Sequence, residues 1–172
     1  LMEKSDETFA GTLSLNGQNG IFGMKLKEKD HPNFTPDFVA RKSVFCFDNR
    51  IICLGTGISN SNTQFPTETI LFQTALKNKK QSITGSDNLD MKTFPSEISL
   101  DEKTAHWLTD INGNGYYLPA SQKIIITKSA QQSKQNKTKK ETAGDFASAW
   151  IDHGKSPKNA EYEYAIRSEE HT

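Results

Sequence analysis

The residues that most restrict the fold of this chain run from Arg41 to Ile58, RKSVFCFDNRIICLGTGI. Val44, Phe45, Cys46 and Phe47 lead into the polar stretch Asp48-Asn49-Arg50, and Ile51, Ile52, Cys53 and Leu54 follow it. Short β-branched and aromatic runs on either side of a tight turn predict a β-hairpin. A strand with one wetted face alternates apolar and polar residues; these runs do not alternate, so both faces of the hairpin require cover. A ribbon covered above and below belongs inside a large β-sandwich with several layers.

Strand patterns recur along the chain. Thr8 to Leu15 alternates, breaks at Asn16-Gly17-Gln18-Asn19-Gly20 and resumes as Ile21 to Leu26, a second hairpin. His31 to Pro36 carries two prolines, which cannot donate to a ladder, and is predicted as a connecting loop. After the central hairpin come a polar loop, Ser59 to Pro66, and a strand, Thr67 to Thr74. Residues 78–103 are weakly patterned, with room for one short strand. Order returns at His106-Trp107-Leu108, Gly115 to Pro119 and Lys123 to Lys128. Ser129 to Thr142 is rich in Gln, Lys and Thr and is predicted as a long mobile loop. Phe146 to Asp152 and Glu161 to Ile166 complete the set. There is no helical periodicity of three turns and no repeat, so the expected fold is an all-β antiparallel sandwich.

At 172 residues the chain has the length of one domain. Lys plus Arg and Asp plus Glu both total 21, so the formal charge is zero and nothing in that balance points to nucleic acid or a membrane surface. No run approaches the roughly 18 apolar residues of a membrane span. No signal-peptide pattern follows Leu1, and the last strand pattern stops just before the terminus. Residues 1–172 are therefore expected to be one β-sandwich domain, incomplete at both ends, of a longer protein.

The two cysteines, Cys46 and Cys53, face each other if Asn49 and Arg50 form the turn. That register allows a bridge by distance, but buried free thiols packed as small hydrophobes are the preferred reading.

Four segments, in order, resemble the chondroitin and hyaluronan lyases, polysaccharide lyase family 8. They are Phe9-Ala10-Gly11-Thr12 with Gly20-Ile21-Phe22-Gly23-Met24; Ala40 to Ile58 with Glu68-Thr69; His106-Trp107 through Gly113-Asn114-Gly115-Tyr116-Tyr117; and Trp150-Ile151-Asp152-His153-Gly154 with Pro157, Asn159-Ala160 and Tyr162-Glu163-Tyr164. The version here looks most like the chondroitin sulfate ABC lyases. The resemblance implies a central β-domain that follows an α-helical toroid, in a secreted or periplasmic bacterial enzyme. It implies β-elimination at a uronic acid of chondroitin or dermatan sulfate, possible also on hyaluronan. The partners implied are the acidic polysaccharide and the remainder of the parent chain. The family's catalytic Tyr, His and Arg match no motif in this sequence. No catalytic residue is therefore assigned, no substrate-binding or metal residue is assigned, and the chain alone is expected to be inactive. The competing reading is a non-catalytic carbohydrate-binding or adhesive β-sandwich.

Local constellations are weaker. Asp152-His153-Gly154 with Tyr162 and Tyr164 is the best candidate for acid/base chemistry. Neighbours on a strand point to opposite faces, however, so a structural His153 is preferred. His106 beside Trp107 reads as packing, and His31 and His171 have no visible partner. Asp87, Asp90, Asp101 and Glu102 could supply oxygen ligands to Ca²⁺ as an optional cofactor, although a solvated acidic loop accounts for them as well. Lys123, Lys128, Lys134, Lys137, Lys139 and Lys140 could attract a polyanion, against the plainer reading of a flexible basic loop. Trp107, Tyr116 and Tyr117 could form a sugar-stacking platform, with burial in the core preferred.

Overall fold

The computed structural model describes residues 5–29, 31 and 34–168. Among them are twelve strands and no helix. The chain divides into two compact units, one built on Leu1–Thr69 and Asp152–Glu170, the other on Ile70–Ile151.

The first unit carries β1 (Ala10–Leu15), β2 (Asn19–Lys27), β3 (Val39–Phe47), β4 (Arg50–Ser59) and β12 (Ala160–Ser168), antiparallel in the order β1-β2-β3-β4-β12. The β1–β2 turn needs two left-handed residues in succession, and Asn16 and Gly17 supply them at φ +53° and +68°. Strand β4 holds one extra residue. Val39 and Arg41 of β3 pair with Ser59 and Thr56, and Ala160 and Tyr162 of β12 pair with Ile58 and Gly55. The bulge centres on Gly57, whose φ of +63° a side chain would resist. It twists the sheet and re-aims the side chains beside it.

In the second unit, β8 (His106–Thr109) lies between β6 (Thr84–Gly85) and β9 (Asn114–Leu118). A four-stranded sheet has the order β5-β11-β10-β7, from β5 (Pro66–Ala75), β7 (Ser96–Ser99), β10 (Ile124–Lys134) and β11 (Glu141–Lys155). The ends of β5 and β11, residues 66–69 and 152–155, belong to the first unit. Ile83, Leu108, Leu118, Ile124, Ile126 and Ile151 are fully buried and form the core of the second unit.

Three expectations are corrected. The central hairpin turns at Asp48-Asn49, with Phe47 opposite Arg50, so Cys46 faces Ile51 and Cys53 faces Val44. Asp48 takes up the left-handed turn conformation, φ +50°, which Asp tolerates, and the ladder shifts by one residue. Cys46 is exposed, Cys53 is buried, and both are free. Second, the hairpin is not sealed on both faces within this chain. Cys53, Gly55 and Ile58 are buried, but toward the turn Phe47 is 41% and Ile51 39% exposed. Apolar runs identify side chains that need cover; here the cover lies at the base of the ribbon and stops short of its tip. Third, the mobile loop predicted over 129–142 is mostly strand. β10 continues to Lys134 and β11 starts at Glu141, paired residue by residue from Ile124↔Ile151 to Lys134↔Glu141. Cross-strand hydrogen bonding sustains it where apolar content does not. The His31–Pro36 loop contains no strand among its described residues, and two of its positions lie outside them.

Candidate functional site

The polar cluster the sequence singles out gathers on the first unit, where β12 crosses the bulged strand β4. Tyr162 and Tyr164, two apart on β12, share a face, and their rings stack 5.8 Å apart at 30°. Tyr162 lies flat over Gly55, directly opposite in the ladder: a Cβ at Gly55 would sit 2.0 Å from Tyr162 Cε1. The His153 ring packs 6.2 Å from that of Tyr162, and its Nε2 is 2.8 Å from Thr69 Oγ1. Asp152 precedes His153 on a strand, where neighbouring side chains alternate between faces, and its Oδ1 accepts from Gly154 N at 2.8 Å.

Burial sets the protonation of this group. It pushes the His153 imidazole below its ordinary 6.5, against a smaller opposing pull from Asp152. It also pushes the Tyr162 phenol up to about 12, helped by Cys53. Desolvation, with the charge of Asp152, raises the Glu68 carboxyl. At neutral pH His153 is an uncharged ring bonded to a hydroxyl, and Tyr162 keeps its proton. The ring faces of both are spent on packing against each other, Tyr164 and Gly55. This geometry orders the β4–β12 crossing.

The other candidates separate. His106 is buried, with Nε2 2.6 Å from Asp101 O and Nδ1 3.8 Å from Asp87 Oδ2. His31 packs 5.4 Å from Phe34, and His171 lies outside the described residues. Asp90 is engaged by Ser82 Oγ and Lys92 Nζ, and Asp101 Oδ1 by Lys103 N. Among the described residues no three His, Cys, Asp or Glu side chains converge as metal ligands. The aromatic trio splits across its strands. Tyr116 is buried against Phe72, its hydroxyl 3.4 Å from Asp110 Oδ2. Trp107 and Tyr117 face outward as a cross-strand pair with ring centroids 4.9 Å apart, Trp107 being 57% exposed. Core burial holds for Tyr116 and fails for Trp107.

The lysine series also divides. Lys134, Lys137, Lys139 and Lys140 are exposed around the β10–β11 turn. Lys128 is completely buried, its Nζ donating to Lys79 O, Met91 O and Lys92 O at 2.9, 3.0 and 3.1 Å. Sequence reasoning grouped Lys128 with the exposed lysines and missed its burial, because a Lys ending the apolar run KIIITK reads as a strand terminus. It also missed Asp110, buried and accepting from Asn112 N, Asn114 N and Asn114 Nδ2 at 2.8–2.9 Å. The turn-rich run Asp110-Ile111-Asn112-Gly113-Asn114 was its only signal.

Antiparallel sheets, with no helix among the described residues, put the chain in the all-β class. Residues 1–170 match polysaccharide lyase family 8, super-sandwich domain, and the chain belongs to that family. It is 36% identical over 167 residues to the chondroitin sulfate ABC endolyase of Proteus vulgaris, covering 96% of this chain and 16% of that protein. It is 41% identical over 162 residues to the chondroitin sulfate ABC exolyase of Bacteroides thetaiotaomicron, covering 94% of this chain and 14% of that protein. A solved chondroitinase AC lyase superposes with a TM-score of 0.72 at 26% identity, over 93% of this chain and 22% of that one. The fold is shared also with Paenibacillus xanthan lyase, at a TM-score of 0.78 and 23% identity over 99% of this chain and 17% of that one. The chain thus spans less than a quarter of the length of each of these proteins.

Proposed function

We propose that this chain is the central β-domain of a bacterial lyase that depolymerises chondroitin or dermatan sulfate by β-elimination. The observation that carries the reading is the family match across residues 1–170, with chondroitin sulfate ABC lyases at 36% and 41% identity. In the proposed reaction a base takes the C5 proton of the uronic acid. The C4–O bond breaks, its electrons leave with the glycosidic oxygen, and an acid protonates that oxygen as the C4–C5 double bond forms; no water is consumed. The neutral, packed state of His153 and Tyr162 supports placing the acid and base elsewhere in the parent protein. The chain alone is therefore inactive, and its partners are the rest of that protein and the acidic polysaccharide. The parent enzyme acts outside the cytoplasm, in the periplasm or the medium, where such polymers are met.

The exposed Trp107–Tyr117 ledge favours a second reading, a carbohydrate-binding module without catalysis, since aromatic faces stack on sugar rings. The purified parent protein, incubated with chondroitin sulfate, dermatan sulfate and hyaluronan, separates the two. The lyase reading expects ultraviolet absorbance from unsaturated uronate to grow, fastest on a sulfated substrate. Binding without any such growth would replace it with the module.

A further inference from the structure

A recess with one-sided charge lies beside the bulge at Gly57. Lys25 of β2 and Arg41 of β3 are directly opposite in the ladder, and Lys27 follows on the same face two residues on. Like charges directly opposite cost a sheet stability. Beside them is a concave space of about 370 Å³, lined by these three cations with Glu7, Gly57 and Asn159. That volume lies in the range of small-ligand sites, roughly 300–1,000 Å³.

The cations are poorly neutralised. The Arg41 guanidinium makes no hydrogen bond or ion pair with another described residue. It passes over Gly57, where an added Cβ would meet Nη1 at 3.3 Å. Lys25 Nζ rests over the Phe9 ring, 5.7 Å from its centroid. Among the described lining residues the one carboxylate is Glu7, which lies in the field of Lys25 and Lys27 and turns Oε1 to the backbone amides of Thr8 and Phe9 at 3.1 and 3.0 Å. Asn159, held at φ +56° with its backbone N on Ser59 Oγ, adds an amide to the rim.

We infer that this recess binds an anionic substituent, sulfate or carboxylate, of an acidic polysaccharide chain. Three cations against one committed carboxylate leave an excess of positive charge, and the planar guanidinium suits an oxyanion in two-point contact. The inference rests on the proposed function for the identity of the polymer, and on the recess alone for the chemistry of the ligand.

The test uses the full-length parent protein and the double variant Lys25→Gln/Arg41→Gln. Calorimetry reads the binding of a chondroitin sulfate oligosaccharide and of its chemically desulfated counterpart, independently of turnover. The control variant Lys134→Gln/Lys137→Gln/Lys140→Gln removes charge at the β10–β11 turn. The double variant is expected to bind the sulfated oligosaccharide about tenfold more weakly, a difference of ~1.4 kcal/mol, with a shallower salt dependence and an unlowered melting temperature. The control is expected to change binding less than twofold. A loss confined to the sulfated ligand identifies sulfate as the occupant, and an equal loss on both identifies carboxylate. Unchanged binding in the double variant, or an equal loss in the control, overturns the inference. Failure of the wild-type protein to release unsaturated products would remove the lyase reading while leaving this binding comparison intact.

Discussion

At the scale of single residues, the first unit is organised by a glycine and an aromatic ring. Tyr162 occupies the space a side chain at Gly55 would need, so Gly55→Ala forces ring or strand to move. Overpacking of this kind costs about 1–3 kcal/mol, and the prediction is a fall of that size in unfolding free energy, read by denaturant titration. Lys128 is a buried ammonium satisfied by three backbone carbonyls. Lys128→Met keeps the length and removes every donor, leaving three carbonyls unpaired, and is expected to cost about 3 kcal/mol in the same titration. An unchanged midpoint would show that water replaces the ammonium. His153 gives a pH signature. Its folded-state pKa lies below the ordinary 6.5, mainly through burial, so below that value the unfolded chain binds a proton that the folded chain resists. Its contribution is complete above pH 6.5, declines as the pH falls toward the folded-state value, and is flat below that. His153→Asn should therefore flatten the loss of stability between neutral and mildly acidic pH. An identical pH profile in the variant would contradict the burial argument.

At the scale of elements, what was legible followed from which force made each strand. The hairpins at 8–26 and 41–57 announced themselves through apolar runs and turn residues, and both are present. The register of the second was misplaced because Asn49-Arg50 and Asp48-Asn49 are both acceptable turns, and only backbone geometry chooses between them. The outer part of β10–β11 was illegible because exposed strands there, rich in Gln, Ser, Thr and Lys, carry no apolar pattern; backbone pairing alone defines them. Hydrogen exchange checks this. Ladder amides from Ala130 to Ser133 and from Thr142 to Asp145 should exchange more slowly than those of the turn at 136–139. Uniformly fast exchange over 129–142 would restore the loop.

At the scale of the whole molecule, ordered segments of family resemblance carried further than any local motif. The all-β class and the super-sandwich domain could be read from them, and the match over residues 1–170 bears both out. The candidate acid/base cluster was legible in composition but not in role. Sequence put Asp152, His153 and Tyr162 near one another, while burial and ring packing decide that they stay neutral or apart. The cationic recess was invisible, because Lys25, Arg41 and Asn159 are far apart in sequence and meet only through the ladder and its bulge. Apolar side chains such as Leu13, 69% exposed on β1, and Phe47 at the hairpin tip mark surfaces that suit cover by further polypeptide. They suit the inner wall that the proposed lyase would need.

The central claim is the proposed elimination chemistry, and mass spectrometry of the products of the full-length protein on chondroitin sulfate tests it most directly. Elimination predicts non-reducing ends lighter by one water than hydrolytic ends, because they carry the C4–C5 double bond. Saturated non-reducing ends of hydrolytic mass, with solvent oxygen on the new reducing ends, would contradict it.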